Sequence, residues 1–279
     1  MAAVGIITDG AADLPDEVVE SLGIRVVRGP VHIDGADWHG SVDEFWRAVR
    51  AGDPAPSAGP PSPEAFAGVF ADALAGDDVC AVLVSSELSR TVEHAKQAAG
   101  GDEHIHVVDS RSLGVGTGLV AMVLARAAAA GADFESVKRL ARRLVDEVHV
   151  HAVIDDVGYL LRSGRAGLID DHAKPGSRSV VAVKGHVIPL ERAKDRNGAI
   201  RHLLDHLVDH QRHGIAHWAV GHGAADDVDD FTNRVQKRFD RPPEFVVPLG
   251  PSVGAHAGPG ALVLGFMARA VRSTEPTEG

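Results

Sequence analysis

The stretch that decides the fold is Val79-Cys80-Ala81-Val82-Leu83-Val84-Ser85-Ser86-Glu87-Leu88-Ser89-Arg90-Thr91-Val92-Glu93-His94-Ala95-Lys96-Gln97-Ala98-Ala99. An apolar, β-branched run typical of a buried strand is followed by a hydroxyl-rich turn and then by an alanine-rich helix. This order places Ser89 and Thr91 near a helix N-terminus, where unpaired backbone N–H groups and the helix dipole favour an anion. The alternative is that these hydroxyls only cap the helix, as serine and threonine commonly do.

Strands and helices alternate in the same way over the first half of the chain, which predicts a parallel sheet with helices on both faces. Strands are expected at 4–8, 24–27, 79–84 and 105–108, and helices at 15–22, 42–50, 63–74, 91–99 and 113–130. Asp13, Ser41 and Ser62 are the expected helix caps. The proline-rich segment 53–63 is expected to be a stiff loop without regular structure, because proline lacks a backbone donor.

The second half mixes strands and helices in a pattern typical of a mixed sheet. A helix at 134–147 precedes strands at 149–154, 179–183, 186–189, 217–221 and 244–248, with helices ending near 161 and at 198–210 and 225–239. The apolar run 261–267 is expected to be a last helix after a Gly/Pro turn. We therefore predict an α/β protein of two domains, at 1–153 and 154–272, with a disordered tail at 273–279.

The composition of the chain argues against several classes of function and location. The formal net charge of −11 argues against binding to a nucleic-acid backbone, which needs a basic patch. Cys80 is the single cysteine, so no intrachain disulfide is expected. No signal-peptide pattern and no apolar run long enough to span a membrane are present, which predicts a cytoplasmic protein. No dimerisation signal stands out, and a monomer is expected.

Three motifs suggest other chemistry. The glycines of Gly114-Val115-Gly116-Thr117-Gly118 lack the dinucleotide-binding spacing and instead favour tight helix packing. A histidine stripe is interpreted as a solvated helix face rather than a zinc site, which usually includes a carboxylate or cysteine ligand; it comprises His202, His206, His210, His213 and His217. A serine hydrolase with Ser89 and His256 is an open alternative, although Ser89 is not in a G-x-S-x-G elbow.

Six short segments between Ile6 and Phe266 carry a family resemblance when they are taken together. They are Ile7-Thr8-Asp9-Gly10-Ala11-Ala12-Asp13-Leu14-Pro15, Pro61-Ser62-Pro63-Glu64-Ala65-Phe66, Ser85-Ser86-Glu87-Leu88-Ser89-Arg90-Thr91, Val108-Asp109-Ser110, Tyr159-Leu160-Leu161-Arg162-Ser163-Gly164-Arg165 and His256-Ala257-Gly258-Pro259-Gly260. They resemble, in order, the motifs I-T-D-S-T-A-D-L-P, T-S-Q-P-S-P-x-x-F, S-S-x-L-S-G-T, V-x-D-S, Y-L-x-x-G-G-R and H-x-G-P-G of the DegV family of bacterial fatty-acid-binding proteins.

The resemblance implies a ligand tunnel between the two domains that holds one long-chain fatty acid. It implies that the fatty-acid carboxylate is held by the hydroxyl loops, with Ser89 and His256 as the matching residues here. Arg165 matches the G-G-R arginine and is the expected contact for a partner or a phosphate. In Gram-positive bacteria such proteins present the acid to a separate fatty-acid kinase. We therefore expect a non-catalytic carrier without cofactor or metal, with backbone amides, including that of Gly258, near the carboxylate.

The chain departs from the family motifs at the expected head-group site. Asp9-Gly10-Ala11 stands where the family has D-S-T, and Ala58-Gly59-Pro60-Pro61 stands where it has T-S-Q-P. The loop threonine is therefore missing, and Ser57 lies one residue away. Arg90 replaces the S-G-T glycine and is a candidate to bind the anion instead. A related protein with a different anionic ligand, or with none, is an open alternative.

Overall fold

The computed structural model describes residues 4–51, 56–74, 78–162, 174–211 and 214–268. In chain order the elements are β1 (Val4–Asp9), α1 (Asp16–Leu22), β2 (Arg25–Val27), β3 (Val31–Ile33), β4 (Ala36–Asp37), α2 (Val42–Ala51), β5 (Pro56–Ala58), α3 (Pro63–Ala73), β6 (Asp78–Leu83), α4 (Thr91–Ala99), β7 (Ile105–Asp109), α5 (Val115–Ala129), α6 (Phe134–Glu147), β8 (Val148–Ile154), α7 (Gly158–Arg162), β9 (Arg178–Lys184), β10 (His186–Ala193), α8 (Arg196–Asp205), α9 (Val208–Gln211), β11 (Ile215–His222), α10 (Val228–Phe239), β12 (Val246–Pro248), α11 (Pro251–Ala257) and β13 (Leu262–Ala268).

The first sheet has the strand order β2-β1-β6-β7, and all of its neighbouring strands are parallel. Its central strand β6 is buried from Val79 to Leu83, as the apolar run predicts. Cys80 lies in this strand with no exposed surface, and burial raises the pKa of its thiol to about 12. The carboxyl ends of β1, β6 and β7 therefore meet at one edge of the sheet.

The second sheet has the order β10-β9-β8-β13-β11-β12, antiparallel except for the last pair. A parallel first sheet and a mixed second sheet confirm the predicted α/β class. Strand β8 belongs to the second sheet, although the predicted domain boundary at 153/154 leaves nearly all of it in the first domain. Sheet membership therefore changes between β7 and β8.

Strand β13 occupies the interior of the second sheet, where a last helix was predicted. Its residues from Leu262 to Met267 are all buried, between β8 on one side and β11 on the other. The prediction was wrong because a run that is apolar on both faces does not distinguish a buried strand from a buried helix.

A small antiparallel sheet, ordered β4-β3-β5, corrects the prediction for the proline-rich segment. Pro56 to Ala58 pair with β3, with Val31 opposite Ala58. Strand β5 lies at the edge of this sheet, and proline is tolerated there because an edge strand leaves backbone positions without a ladder partner.

Helix α5 lies between the two sheets and is shared by both. It contacts β1 of the first sheet and β11 and β13 of the second, and ten of its residues are buried. A methyl group on Gly116 would lie 2.3 Å from Val150 Cγ2, and one on Gly118 would lie 2.3 Å from the Ala12 carbonyl oxygen. The glycine-rich motif is therefore explained by close packing, as predicted.

Most other helix boundaries follow the sequence pattern. Ser41 and Glu44 form a reciprocal capping pair at the start of α2, and the Ser62 hydroxyl accepts from the Ala65 N–H at the start of α3. The helix predicted at 198–210 is instead divided into α8 and α9. Helix α11 was not predicted, because it is short and rich in glycine and alanine.

The histidine stripe was wrongly interpreted as a solvated face, because its helices pack on the second sheet. The ring centroid of His210 lies 4.4 Å from that of His149 and 5.1 Å from that of Phe266. Burial lowers the pKa of His149 to about 4 and that of His151 to about 3.

Three other histidines of the stripe, His202, His206 and His217, have carboxylate neighbours. His202 and His206 both face Glu191 of β10, and His217 Nδ1 lies 2.7 Å from Glu244 Oε1. His213 lies outside the described residues. Within the part of the chain that the structure describes, no three histidine, cysteine or acidic side chains are arranged to hold a metal ion, and no helix is both long and apolar enough to cross a bilayer.

We predict that Gly118→Ala destabilises the protein by about 1–3 kcal/mol, because the added methyl group would overlap the Ala12 carbonyl and force backbone shifts. Urea unfolding measures the change in the free energy of unfolding. Gly68→Ala is the matched control: Gly68 lies on the exposed side of α3 with open space around it, so this variant is expected to gain up to about 1 kcal/mol. Equal stabilities of the two variants would contradict the packing role of α5.

Candidate functional site

A cavity of about 310 Å³ lies at the carboxyl edge of the first sheet, facing elements of the second half of the chain. The loop after β1, the turn after β6 and residues 58–61 form one side. Leu160 of α7, Val187 of β10 and Val253 of α11 contribute to the other. Ligands of open α/β sheets bind at such an edge, and this volume is within the usual range for small-molecule sites.

Two hydroxyl groups meet at the N-terminus of α4, on the cavity wall. Ser89 Oγ lies 2.8 Å from Thr91 Oγ1, and the Thr91 N–H donates to Ser89 Oγ at 3.3 Å. Thr91 is buried and Ser89 is half-buried. The backbone of Arg90 occupies the N-cap position without a side-chain cap. The positive end of the helix dipole therefore faces a pair of hydroxyls, an arrangement that suits an anionic group.

Arg90 lines the cavity, but its guanidinium is engaged elsewhere. Nε and Nη2 donate to the two carboxylate oxygens of Glu93 at 2.9 and 2.8 Å, and the arginine side chain is 69% exposed. The neighbouring guanidinium lowers the pKa of Glu93. An exposed ion pair of this kind contributes little to stability. Anion binding by Arg90 stays a prediction.

The loop at 58–61 supplies an apolar wall rather than hydrogen-bond donors. Ala58 and Gly59 line the cavity, whereas Ser57 is exposed on β5. The Gly59 N–H donates to the Pro30 carbonyl at 2.9 Å, and Pro60 and Pro61 have no N–H. The Pro61 carbonyl accepts from His94 Nδ1 at 2.8 Å, which holds the loop against α4.

His256 reaches the cavity from helix α11, not from a turn as predicted. Two side chains of the first half of the chain hold the beginning of this helix. The Gly250 N–H donates to Asp13 Oδ1 at 2.7 Å, and Trp46 Nε1 donates to the Leu249 carbonyl at 2.8 Å. The position of His256 therefore depends on contacts between the two halves of the protein.

Of the two remaining predicted site residues, Gly258 is placed differently from its prediction. Gly258 ends α11 with a φ of 75°, and a methyl group there would lie 2.5 Å from Tyr159 Cδ2. It packs against the tyrosine ring rather than lining the cavity. Arg165 lies outside the described residues, and its role stays a prediction.

Asp9 and Asp13 are buried carboxyl groups beside the site. The two oxygens of Asp9 accept from the Ala11 and Val84 N–H groups at 2.7 and 2.8 Å, which ties the end of β1 to the end of β6. Burial raises the pKa of Asp9 to about 6, and burial raises that of Asp13 to about 7, with the nearby Asp9 charge adding to the shift.

Asp13 does not cap α1, which corrects the sequence prediction. Its φ is 43°, in the left-handed region, and its Oδ1 atom points to Gly250. Pro15 occupies the N-cap position of α1 instead. A capping side chain accepts a hydrogen bond from an N–H group of its own helix. The Asp13 carboxylate instead accepts from the N–H of Gly250, which is 237 residues away in the sequence.

The residues at the end of β7, the third strand end at this edge of the sheet, bond to neighbouring loops and do not line the cavity. Asp109 accepts from the Ser86 hydroxyl and from the Arg111 N–H, and Ser110 Oγ lies 3.0 Å from Thr117 Oγ1. Of these three strand ends, those of β1 and β6 bring Asp9 and Ser89 to the cavity, whereas Asp109 at the end of β7 does not line it.

Comparison with known proteins identifies the family. The family model described as "Uncharacterised protein, DegV family" matches residues 3–269. The chain belongs to the DegV family. A DegV domain-containing protein of Mycobacterium bovis is 31% identical over 277 residues, covering 93% of this chain and 95% of the relative.

Solved structures of the DegV family have the same fold. A fatty-acid-binding DegV protein from Thermus thermophilus superposes with a TM-score of 0.85 at 26% identity, covering 96% of this chain and all of that one. A stearic-acid-binding protein from Eubacterium ventriosum superposes with a TM-score of 0.86 at 23% identity, over 96% of this chain and 98% of that chain. Because the Eubacterium ventriosum protein is only 23% identical, its similarity supports the fold alone.

Sequence reasoning missed the apolar wall of the cavity, formed by Leu88, Leu113, Leu160, Val187 and Val253. Leu113, Leu160 and Val187 lie in or at the end of stretches that predict a buried strand or helix, and Leu88 and Val253 are single apolar residues among polar and small ones. No sequence signal separates a side chain that packs in the core from one that faces a cavity, because both satisfy the same periodicity.

We predict that Asp13→Asn makes stability less dependent on pH. The folded-state pKa of Asp13 is raised, so its contribution to stability is present below the unfolded value near 4 and is lost as the pH rises through about 7. When the pH rises from 5 to 8, the ionisation of Asp13 therefore lowers the wild-type free energy of unfolding by about 3 kcal/mol. Urea unfolding at the two pH values measures the difference, which should shrink in Asp13→Asn.

The matched control is Asp16→Asn, which removes a nearby exposed carboxylate. It is expected to keep the wild-type difference between pH 5 and pH 8. Asp9 and the buried histidines are present in all three proteins, so the difference between Asp13→Asn and Asp16→Asn reports on the Asp13 carboxyl group together with its effect on Asp9. Equal pH dependence in Asp13→Asn and the wild type would contradict the burial argument.

Proposed function

We propose that this chain is a non-catalytic carrier of one long-chain fatty acid. The main support for this proposal is an apolar cavity that ends at the hydroxyl pair of Ser89 and Thr91, at the N-terminus of α4. An amphiphile with one anionic end and a long apolar chain matches both parts. The likeness to the fatty-acid-binding protein from Thermus thermophilus supports this ligand class.

In the proposed complex the carboxylate lies at Ser89, with Thr91 and His256 beside it. The α4 dipole and the hydroxyls replace a buried cation, because the guanidinium of Arg90 pairs with Glu93 at the surface. Each methylene that leaves water contributes about 0.8 kcal/mol before the costs of association and ordering. The chain therefore supplies most of the affinity and the carboxylate sets the orientation.

We further propose that the carboxyl end of the bound acid is offered to a separate fatty-acid kinase. The hydroxyl end of the cavity lies beside the exposed Arg90 and Glu93 side chains, so a partner has access to this rim. Incubation of the loaded protein with a fatty-acid kinase and ATP should yield an acyl phosphate; the absence of product with several such kinases would contradict the hand-off while leaving carriage intact.

We predict that protein produced in bacteria carries co-purified fatty acid. Extraction under denaturing conditions followed by mass spectrometry should detect close to one acid per chain. A lipid-free protein from several independent preparations would overturn the proposed function. Turnover of nitrophenyl acyl esters that is abolished by Ser89→Ala would instead favour a hydrolase.

We predict that Ser89→Ala weakens binding of a long-chain fatty acid to the delipidated protein by about tenfold or more, because a hydrogen bond to a charged group is lost. Ser86→Ala is the matched control, since the Ser86 hydroxyl donates to Asp109 in the same turn but away from the cavity. Titration of both variants measures the dissociation constants. Equal affinities would place the carboxylate elsewhere.

A further inference from the structure

Strand β8 carries two histidines at positions where a buried strand normally carries apolar residues. Val150 and Ala152 pack in the core that includes α5, whereas Val153 packs in the core formed with α8 and α10. Because side chains alternate along a strand, His149 and His151 lie on the same face as Val153. His151 is only 7% exposed, and its Nδ1 atom has no hydrogen-bond partner among the described residues. Burial of such a polar atom is unfavourable, which points to a role beyond packing.

Helices α8 and α9 place two more imidazole rings against this pair. The ring centroid of His210 lies 4.4 Å from that of His149 and 5.9 Å from that of His151, and the centroid of His206 lies 6.4 Å from that of His151. His149 and His151 also stack on the ring of Phe266, at 5.3 and 5.6 Å. We call His149, His151, His206 and His210 the imidazole cluster. Its members come from both sides of the contact between the helices and the second sheet.

The charged groups around the imidazole cluster offer little compensation for added positive charge. Lys184 of β9 acts on His149 and disfavours its protonation, and β13 contributes only apolar side chains. Glu191 of β10 faces His206, but it faces His202 as well. Among the described residues, no carboxylate forms an ion pair with either histidine of β8.

Asp205 of α8 is directed to a different neighbour. Its carboxylate lies 3.7 Å from a guanidinium nitrogen of Arg238, on α10. A proton on His149 or His151 therefore places a charge among other imidazoles and apolar rings.

The two histidines of β8 stay neutral while the helices are packed on them. Burial, with repulsion from His210, lowers the pKa of His149 to about 4 and that of His151 to about 3. If the helices leave the sheet, both rings enter water and their pKa values return towards the ordinary value of about 6.5. The open state then binds more protons than the packed state, so its population rises as the pH falls below about 6.5.

We propose that the imidazole cluster is an acid-sensitive switch that holds α8 and α9 on the second sheet at neutral pH and releases them as the pH falls towards 5. The helices are the part that moves, because β8 is paired on both sides in the interior of the sheet, with β9 and β13. Histidine is the side chain whose charge changes in this range of pH. The switch is independent of the proposed function.

Hydrogen exchange measured by mass spectrometry at pH 7 and pH 5 tests the switch, with rates corrected for the intrinsic pH dependence of exchange. In the wild type, protection of residues 196–211 should fall by about tenfold or more at pH 5, because each histidine of β8 gains a proton when the helices open. Helix α5 and strand β6 should keep their protection. Simultaneous loss of protection over the whole chain would indicate global unfolding and would overturn a local switch.

Variants without the titrating rings separate the switch from other effects of acid. The double variant His149→Phe/His151→Phe keeps the stacking on Phe266 and should lose most of the difference between the two pH values. His149→Gln/His151→Gln should do the same with polar side chains, in case phenylalanine packs too tightly. His39→Gln, which removes an exposed histidine from the first half of the chain, is the matched control and should respond as the wild type does. The same response in the wild type and both double variants would show that the cluster is not the sensor.

Discussion

Close packing of helix α5 between the two sheets is the constraint on which the rest of the structure depends. Gly116 and Gly118 allow the backbone of this helix to touch Val150 and the Ala12 carbonyl, at distances that a methyl group would not permit. One helix thereby covers a face of each sheet. The separation of the sheets, and with it the width of the cavity at their edge, follows from Gly116 and Gly118, which do not line that cavity.

The site is assembled by contacts that are distant in sequence. Asp13 and Trp46 hold the beginning of α11 and so position His256, and Asp9 joins the ends of β1 and β6. As a consequence, the carboxyl groups of Asp9 and Asp13 are buried, and burial makes them harder to ionise. Their hydrogen bonds fix the geometry of the loops, and the raised pKa values mean that each carries less negative charge near neutral pH than an exposed aspartate would.

The sequence predicted local structure well and tertiary placement less well. Helices α4 and α6 begin and end where the apolar periodicity predicts, because this signal is local. The apolar run of β13 was misassigned, since only its neighbours β8 and β11 make it a strand. Ser89 was found because hydroxyls before a helix have a recognisable pattern. Leu160 and Val187 could not be found, because the sheets bring them to the cavity.

Two predictions were wrong for the same reason: that Asp13 caps a helix, and that the histidine stripe is a solvated helix face. A residue with a suitable local role was used by a distant partner: Gly250 for Asp13, and Phe266 with His149 for His210. The single thiol of Cys80, in the middle of β6, gives this chain an internal reporter of such tertiary contacts. A thiol-specific reagent can modify it only after the first sheet opens, so its labelling rate follows the opening of that sheet under native conditions.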